Sequence, residues 1–137
     1  MADNYDLIIV GGGIGGGAMA TVMARSGYSV LVLEKSTVYR DLVRGEWMAP
    51  WGVVEAKRLG LYDDLIAEGA HHLSRHVTYG ETIDPKDAEA NMLPVAALVP
   101  DVAGPLCIGH PAHCELRHRS SAAAGATALR GVTQIKA

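Results

Sequence analysis

Six of the seven residues from Gly11 to Gly17 are glycine (GGGIGGG), and they separate an aliphatic run from a small-residue stretch. So much backbone freedom is costly in a regular element, so it belongs where the chain must turn tightly and let other groups approach closely. Before it, Leu7, Ile8, Ile9 and Val10 form an aliphatic run without polar alternation, which predicts a central parallel strand covered on both faces. Within it, Gly11, Gly13 and Gly16 have the spacing G-x-G-x-x-G. After it, residues 14–26 read as a helix in which Gly17, Ala18 and Ala20 allow close packing and Gly27 is placed to end it. Ser29 to Leu33 (SVLVL) is a second buried strand, with Glu34 at its carboxyl end.

Strand, glycine turn, helix, strand and acid in that order read as a dinucleotide-binding βαβ unit. The first glycine permits the turn, the second lets backbone approach a pyrophosphate, and the third lets the helix pack on the sheet. The helix start supplies N–H groups and the positive end of a dipole to phosphate oxygens. An acid about 20 residues past the glycines accepts hydrogen bonds from an adenosine ribose. On the alternative reading the glycines serve helix packing and Glu34 simply caps a strand end. Packing alone does not call for six of them.

The remaining composition narrows the classes. A chain of 137 residues is one domain's worth, and 49% hydrophobic content suffices for a core. Net charge −3 and a pI near 6.0 provide no basic footprint for nucleic acid or an anionic membrane. Two cysteines, Cys107 and Cys114, are too few for a disulfide framework, so a reducing cytoplasmic setting is expected. The acidic start and the short apolar runs fit neither a signal peptide nor a membrane span.

Residues 36–46 (STVYRDLVRGE) read as a loop at the carboxyl edge of the sheet, carrying Arg40 and Arg44. Arg44, followed by Gly45, can offer its planar donors to a phosphate or ribityl chain, or pair with Asp41 or Glu46. From Pro50 to Gly69 the pattern predicts two short helices broken at Gly60, with Val53, Val54, Leu59, Leu61, Leu65 and Ile66 in the core. Trp47, Met48 and Trp51 sit at the helix entry, either walling a cavity or packing beside the sheet. His71, His72 and His76 fall in a candidate edge strand, and residues 81–90 read as an exposed charged loop. Pro94, Pro100 and Pro105 argue against a long central strand, leaving one or two short antiparallel strands over the sheet. A helix follows Pro111 to Ala124, with Gly125 as its stop and one or two strands in residues 126–135. Cys107, His110, His113, Cys114 and His118 are zinc-ligand types, but their spacing matches no paired arrangement; a thiol beside the sheet and histidines near a helix start account for them.

With these motifs the chain resembles the N-terminal part of the FAD-dependent aromatic hydroxylases, the single-component flavoprotein monooxygenases like 4-hydroxybenzoate hydroxylase. The resemblance implies an α/β fold with a Rossmann-like parallel sheet, and that residues 1–137 are the N-terminal portion of an FAD-binding domain. It implies pyrophosphate binding at Gly11, Gly13, Ile14, Gly15 and Gly16, and ribose binding at Glu34 with Lys35 beside it. Arg44, in VRGEW, falls where the family contacts the flavin side of the cofactor. The family's Gln or Arg at the start of the later helix falls on His110, counting back from Gly125–Ala126, and histidine departs from that pattern. For the family the implied chemistry is reduction of FAD by NADH or NADPH and transfer of one oxygen atom from dioxygen to a small organic, often aromatic, substrate. The flavin supplies that chemistry, so no catalytic side chain and no metal are expected. The family's later Asp-Gly and Gly-Asp motifs do not occur here, so a partial chain is expected, with self-association through an incomplete sheet. An NAD-binding dehydrogenase domain and a non-catalytic nucleotide-binding fragment are the alternatives.

Overall fold

The computed structural model describes residues 4–41 and 46–135. In chain order the elements are β1 (Leu7–Val10), α1 (Ile14–Arg25), β2 (Val30–Glu34), β3 (Trp47–Met48), α2 (Pro50–Arg58), α3 (Tyr62–Ala67), β4 (His71–His72), α4 (Pro85–Ala90), β5 (Leu106–Cys107), α5 (His110–Ala123) and β6 (Thr127–Arg130), with a 3-10 turn at Val95–Ala97. They form two compact units, one built from β1, α1, β2, α5 and β6, the other from the intervening elements.

The first unit holds a parallel sheet of order β1-β2-β6, in which Leu7 lies opposite Val30 and Glu34 opposite Arg130. Alternation along the strands sends Ile9, Val30 and Val32 to a core completed by Ala20 of α1 and by Ala126, with Leu7, Met23 and Ala128 packed around it. The expected βαβ unit is present. Two details differ from the sequence reading. The central strand is β2, not β1. Only one face of β1 is covered, because Ile8 and Val10 project to the opposite face, where they stay 57% and 69% exposed. An unbroken aliphatic run cannot tell one covered face from two.

Helix α1 packs on α5 through its small residues. A Cβ on Gly17 would stand 2.6 Å from the Arg117 Cβ, so α5 rests directly on the α1 backbone. Gly27 (φ +90°) and Gly125 (φ +100°) end the two helices in the left-handed region, as expected. Asp6 ties the strand starts together by accepting from both the Ser29 backbone N–H and its hydroxyl at 2.8 Å. These bonds, the backbone one foremost, hold the Asp6 carboxyl below its usual range.

The second unit contains a small antiparallel sheet of order β3-β5-β4, two residues per strand. Trp47 and Met48 form a strand that the sequence reading did not assign; β4 is the edge strand expected at His71 and His72, and β5 is the one short antiparallel strand of the proline-bearing segment. Helices α2 and α3 break at Gly60 (φ +64°), as the sequence predicts. Val53, Leu61 and Leu65 are buried, but Val54 and Ile66 are exposed, because short helices bury only a narrow stripe. Residues 81–90 are not all loop. Pro85 opens α4 at its first turn, and the Asp84 side chain caps it by accepting from the Lys86 N–H at 2.8 Å. His72 joins three segments: its Nδ1 bonds the Gly104 carbonyl at 2.9 Å and its Nε2 the Tyr62 hydroxyl at 2.9 Å. A carbonyl can only accept, so Nδ1 carries a proton and donates it to Gly104.

Candidate functional site

The site lies in the first unit, at the carboxyl ends of its strands. Gly11 leaves β1 with φ +102°, a conformation that favours glycine. A Cβ on Gly16 would lie 1.9 Å from the Gly11 carbonyl oxygen, so the turn folds onto the helix start and admits no side chain there. Gly13 and Gly15 are different: a Cβ on either would meet nothing within 4 Å. Gly13 is the N-cap of α1, which has no side-chain cap and no acid in its first turn. The helix start therefore has no side-chain acceptor of its own for its first N–H groups.

Glu34 ends β2 and is buried, and its carboxylate holds the turn. Oε2 accepts from the Gly12 N–H at 2.5 Å and Oε1 from the Ser36 N–H at 2.6 Å. Burial pushes this carboxyl up, but the bonds from Ser36 and Gly12, together with the Arg130 charge, outweigh it and leave it below its usual range. Glu34 is thus an anion at working pH with lone pairs to spare.

Residues 35–40 then fold back beside the turn. The Tyr39 hydroxyl donates to the Gly12 carbonyl at 2.7 Å, and burial with the nearby Glu34 charge pushes its pKa up to about 12. Arg130 of β6 donates its Nε to the Ser36 carbonyl at 3.1 Å and pairs with Glu115 of α5 at 3.2 Å. Lys35, Ser36, Tyr39 and Arg40 wall a cavity of about 800 Å³, with His110 and Cys114 on its α5 side. His110 is the first residue of α5, and its Nε2 lies 3.6 Å from the Cys114 Sγ.

The structure therefore brings together Gly11, Gly13, Ile14, Gly15, Gly16 and Glu34 on one turn, and places Lys35 and His110 on the adjoining cavity. Arg44 lies outside the described residues. Sequence reasoning missed Tyr39 and Arg130. No motif marks either, and Arg130 becomes visible only once the register sets it opposite Glu34. The histidines of α5 diverge: His110 lines the cavity, while His113 is buried. Burial, then the charges of Arg117 and His110, lowers the His113 pKa to about 4. Among the described residues no cluster of three or more His, Cys, Asp or Glu is placed to hold a metal ion, and no helix is long and apolar enough to cross a membrane.

An uncapped helix start over open space, a buried anion at the end of the next strand and a cavity beside it are the parts that a dinucleotide-type cofactor requires, and the residues present fit one. They define an α/β nucleotide-cofactor domain. The chain belongs to the FAD binding domain family, whose model matches residues 4–133. It is an FAD-binding domain of the kind found in flavin monooxygenases. It is 33% identical over 97 residues to the squalene monooxygenase of Candida glabrata, covering 69% of this chain and 20% of that protein. It is 36% identical over 74 residues to the squalene monooxygenase of Rattus norvegicus, covering 54% of this chain and 13% of that protein. Among solved structures, p-nitrophenol 4-monooxygenase from Pseudomonas putida matches with a TM-score of 0.76 at 20% identity, over 96% of this chain and 33% of that one. The chain thus spans a fifth or less of the length of these curated relatives.

Proposed function

We propose that this chain is the FAD-binding part of an NADH- or NADPH-dependent flavin monooxygenase acting on a small organic substrate of the aromatic class. The observation that carries the reading is the Glu34 carboxylate, buried and held as an anion while it pins the glycine turn in front of the open space over Gly13 and Gly15. On this reading the N–H groups at Gly13, Ile14, Gly15 and Gly16 hold the pyrophosphate, and Gly11 sets the turn that presents them. Glu34 accepts from the adenosine ribose. Lys35 and His110 border the cavity that receives the rest of the nucleotide, and Arg44 serves the flavin side. Bound FAD supplies the redox chemistry, and the chain's own residues bind it, orient it and keep water from it.

The test is a calorimetric titration of the purified chain with FAD, NAD and AMP, with flavin fluorescence followed in parallel. Saturable FAD binding, at least about tenfold tighter than NAD, is the expected result. NAD binding as tight as FAD would instead identify a dehydrogenase-type site. If AMP binds as tightly as FAD, the flavin half of the cofactor makes no contact with this chain. No binding of any of the three removes the reading.

A further inference from the structure

The two backbone groups that hold the Glu34 carboxylate belong to residues that are themselves held a second time. Gly12, which donates its N–H to Oε2, accepts at its carbonyl from the Tyr39 hydroxyl at 2.7 Å. Ser36, which donates its N–H to Oε1, accepts at its carbonyl from the Arg130 Nε at 3.1 Å. The Arg130 guanidinium in turn lies over the Tyr39 ring. The contacts therefore close on themselves, from Glu34 through Gly12, Tyr39, Arg130 and Ser36 back to Glu34.

The charges are arranged so that this circuit leaves Glu34 open. Arg130 stands opposite Glu34 in the register of β2 and β6. Among the described residues, however, its ion pair is with Glu115 of α5, Nη2 at 3.2 Å and Nη1 at 3.4 Å, and not with Glu34. A carboxylate offers about four acceptor directions, and the Gly12 and Ser36 N–H groups occupy one on each oxygen. A direct ion pair would take the others. With the guanidinium held by Glu115, they stay available to a ligand.

Where those free directions point depends on the plane of the carboxylate, and that plane is set by the Gly12 and Ser36 N–H groups. A vicinal diol makes two hydrogen bonds at once only if both acceptor directions are placed to within about 0.5 Å. We infer that Tyr39 and Arg130 are positioning residues for cofactor recognition: by fixing Gly12 and Ser36 they aim the Glu34 carboxylate at the two hydroxyls of the adenosine ribose. The inference rests on the reading of Glu34 as the ribose acceptor. It assigns to two residues outside the glycine motif the selectivity of that acceptor for a ribose.

The experiment is a calorimetric titration of the whole chain with ADP and with 2′,3′-dideoxy-ADP, on the parent and on Glu34→Ala, Arg130→Gln and Tyr39→Phe. The two ligands share base and diphosphate, so the ratio of their affinities isolates the ribose hydroxyls. In the parent ADP should bind at least about tenfold tighter. Glu34→Ala should bring the ratio close to one. Arg130→Gln and Tyr39→Phe should each lower it by at least about threefold while affinity for the dideoxy ligand stays within about twofold of the parent's. A merely structural role would weaken both ligands alike and leave the ratio untouched, so a parent-like ratio in either variant overturns the assignment of that residue. Tyr39→Phe keeps the ring under Arg130 and carries the test by itself if Arg130→Gln does not fold. A different result sinks the underlying reading: a parent ratio near one, or a parent-like ratio in Glu34→Ala, removes Glu34 as the ribose acceptor and the inference with it.

Discussion

The guanidinium carbon of Arg130 lies 4.6 Å from the centroid of the Tyr39 ring. That ring's hydroxyl bonds the Gly12 carbonyl, so contacts run from β6 through the 35–40 loop to the glycine turn. The loop has few other anchors, and these two residues should hold it jointly. Tyr39→Phe keeps the ring under Arg130 but strands the Gly12 carbonyl, at about 1 kcal/mol in urea unfolding. In a double-mutant cycle of Tyr39→Leu with Arg130→Leu, a coupling of about 0.5–1 kcal/mol is expected. Strict additivity would mean the stacked pair contributes nothing.

The glycines divide into those the fold requires and those the cofactor requires. Gly16→Ala drives a methyl into the Gly11 carbonyl, and Gly17→Ala drives one into Arg117. Both overlaps involve α1 backbone that cannot rotate away, and each should destabilise by at least about 2 kcal/mol. Gly13→Ala and Gly15→Ala place the methyl in open space. Gly15→Ala should hold or gain a few tenths of a kcal/mol, since alanine narrows the unfolded ensemble, whereas Gly13→Ala, at the N-cap where alanine is disfavoured, should lose no more than about 1 kcal/mol. FAD affinity should nonetheless fall by at least about tenfold, because the methyl occupies room meant for pyrophosphate. Thermal unfolding set beside FAD titration separates the classes, and unchanged FAD affinity in both alanine variants removes these glycines from the site.

Acid should loosen the first unit through two buried groups acting in the same direction. The folded-state pKa of Glu34 is depressed, so its contribution is present above the ordinary carboxyl value of 4.5 and is lost as pH falls through the folded value. His113 titrates near 4 in the fold against 6.5 when exposed, so between those values the unfolded chain binds the extra proton. Stability therefore declines as pH drops from about 6.5 toward 4, by a few kcal/mol for His113 alone. Urea midpoints at pH 7 and pH 5 test this. His113→Gln should flatten the difference, and a His113→Gln protein with the parent's full acid sensitivity would assign the effect elsewhere.

How much of this was legible beforehand follows from which interactions are local. The order strand, glycine turn, helix, strand and acid is written within about thirty residues, and its turn, helix and parallel pair were all readable. Helix ends at Gly27, Gly60 and Gly125 were readable too, because a left-handed cap leaves a residue-level mark. What depends on pairing was not: β2's central place, the Tyr39–Arg130 stack and the short strand at Trp47 all require knowing which distant segments meet. Helix α4 is a different kind of miss. Asp84-Pro85 is a local start signal of cap followed by proline, and the surrounding charge masked it.

The uncovered face of the parallel sheet should make the isolated chain associate with itself. Ile8 and Val10 on β1 and Leu129 on β6 point to the same side, and Leu129 is 50% exposed. The outer edge of β1 also has no neighbouring strand among the described residues. An apolar face ending in an open edge invites a second copy. Sedimentation velocity over a range of concentrations should show dimers or larger species growing with concentration. Ile8→Lys combined with Leu129→Gln should shift the distribution to monomer without lowering the unfolding midpoint, because neither side chain belongs to the buried core. A parent chain that stays monomeric at the highest concentration refutes the prediction. If the double variant associates as strongly as the parent, the contact lies on another surface.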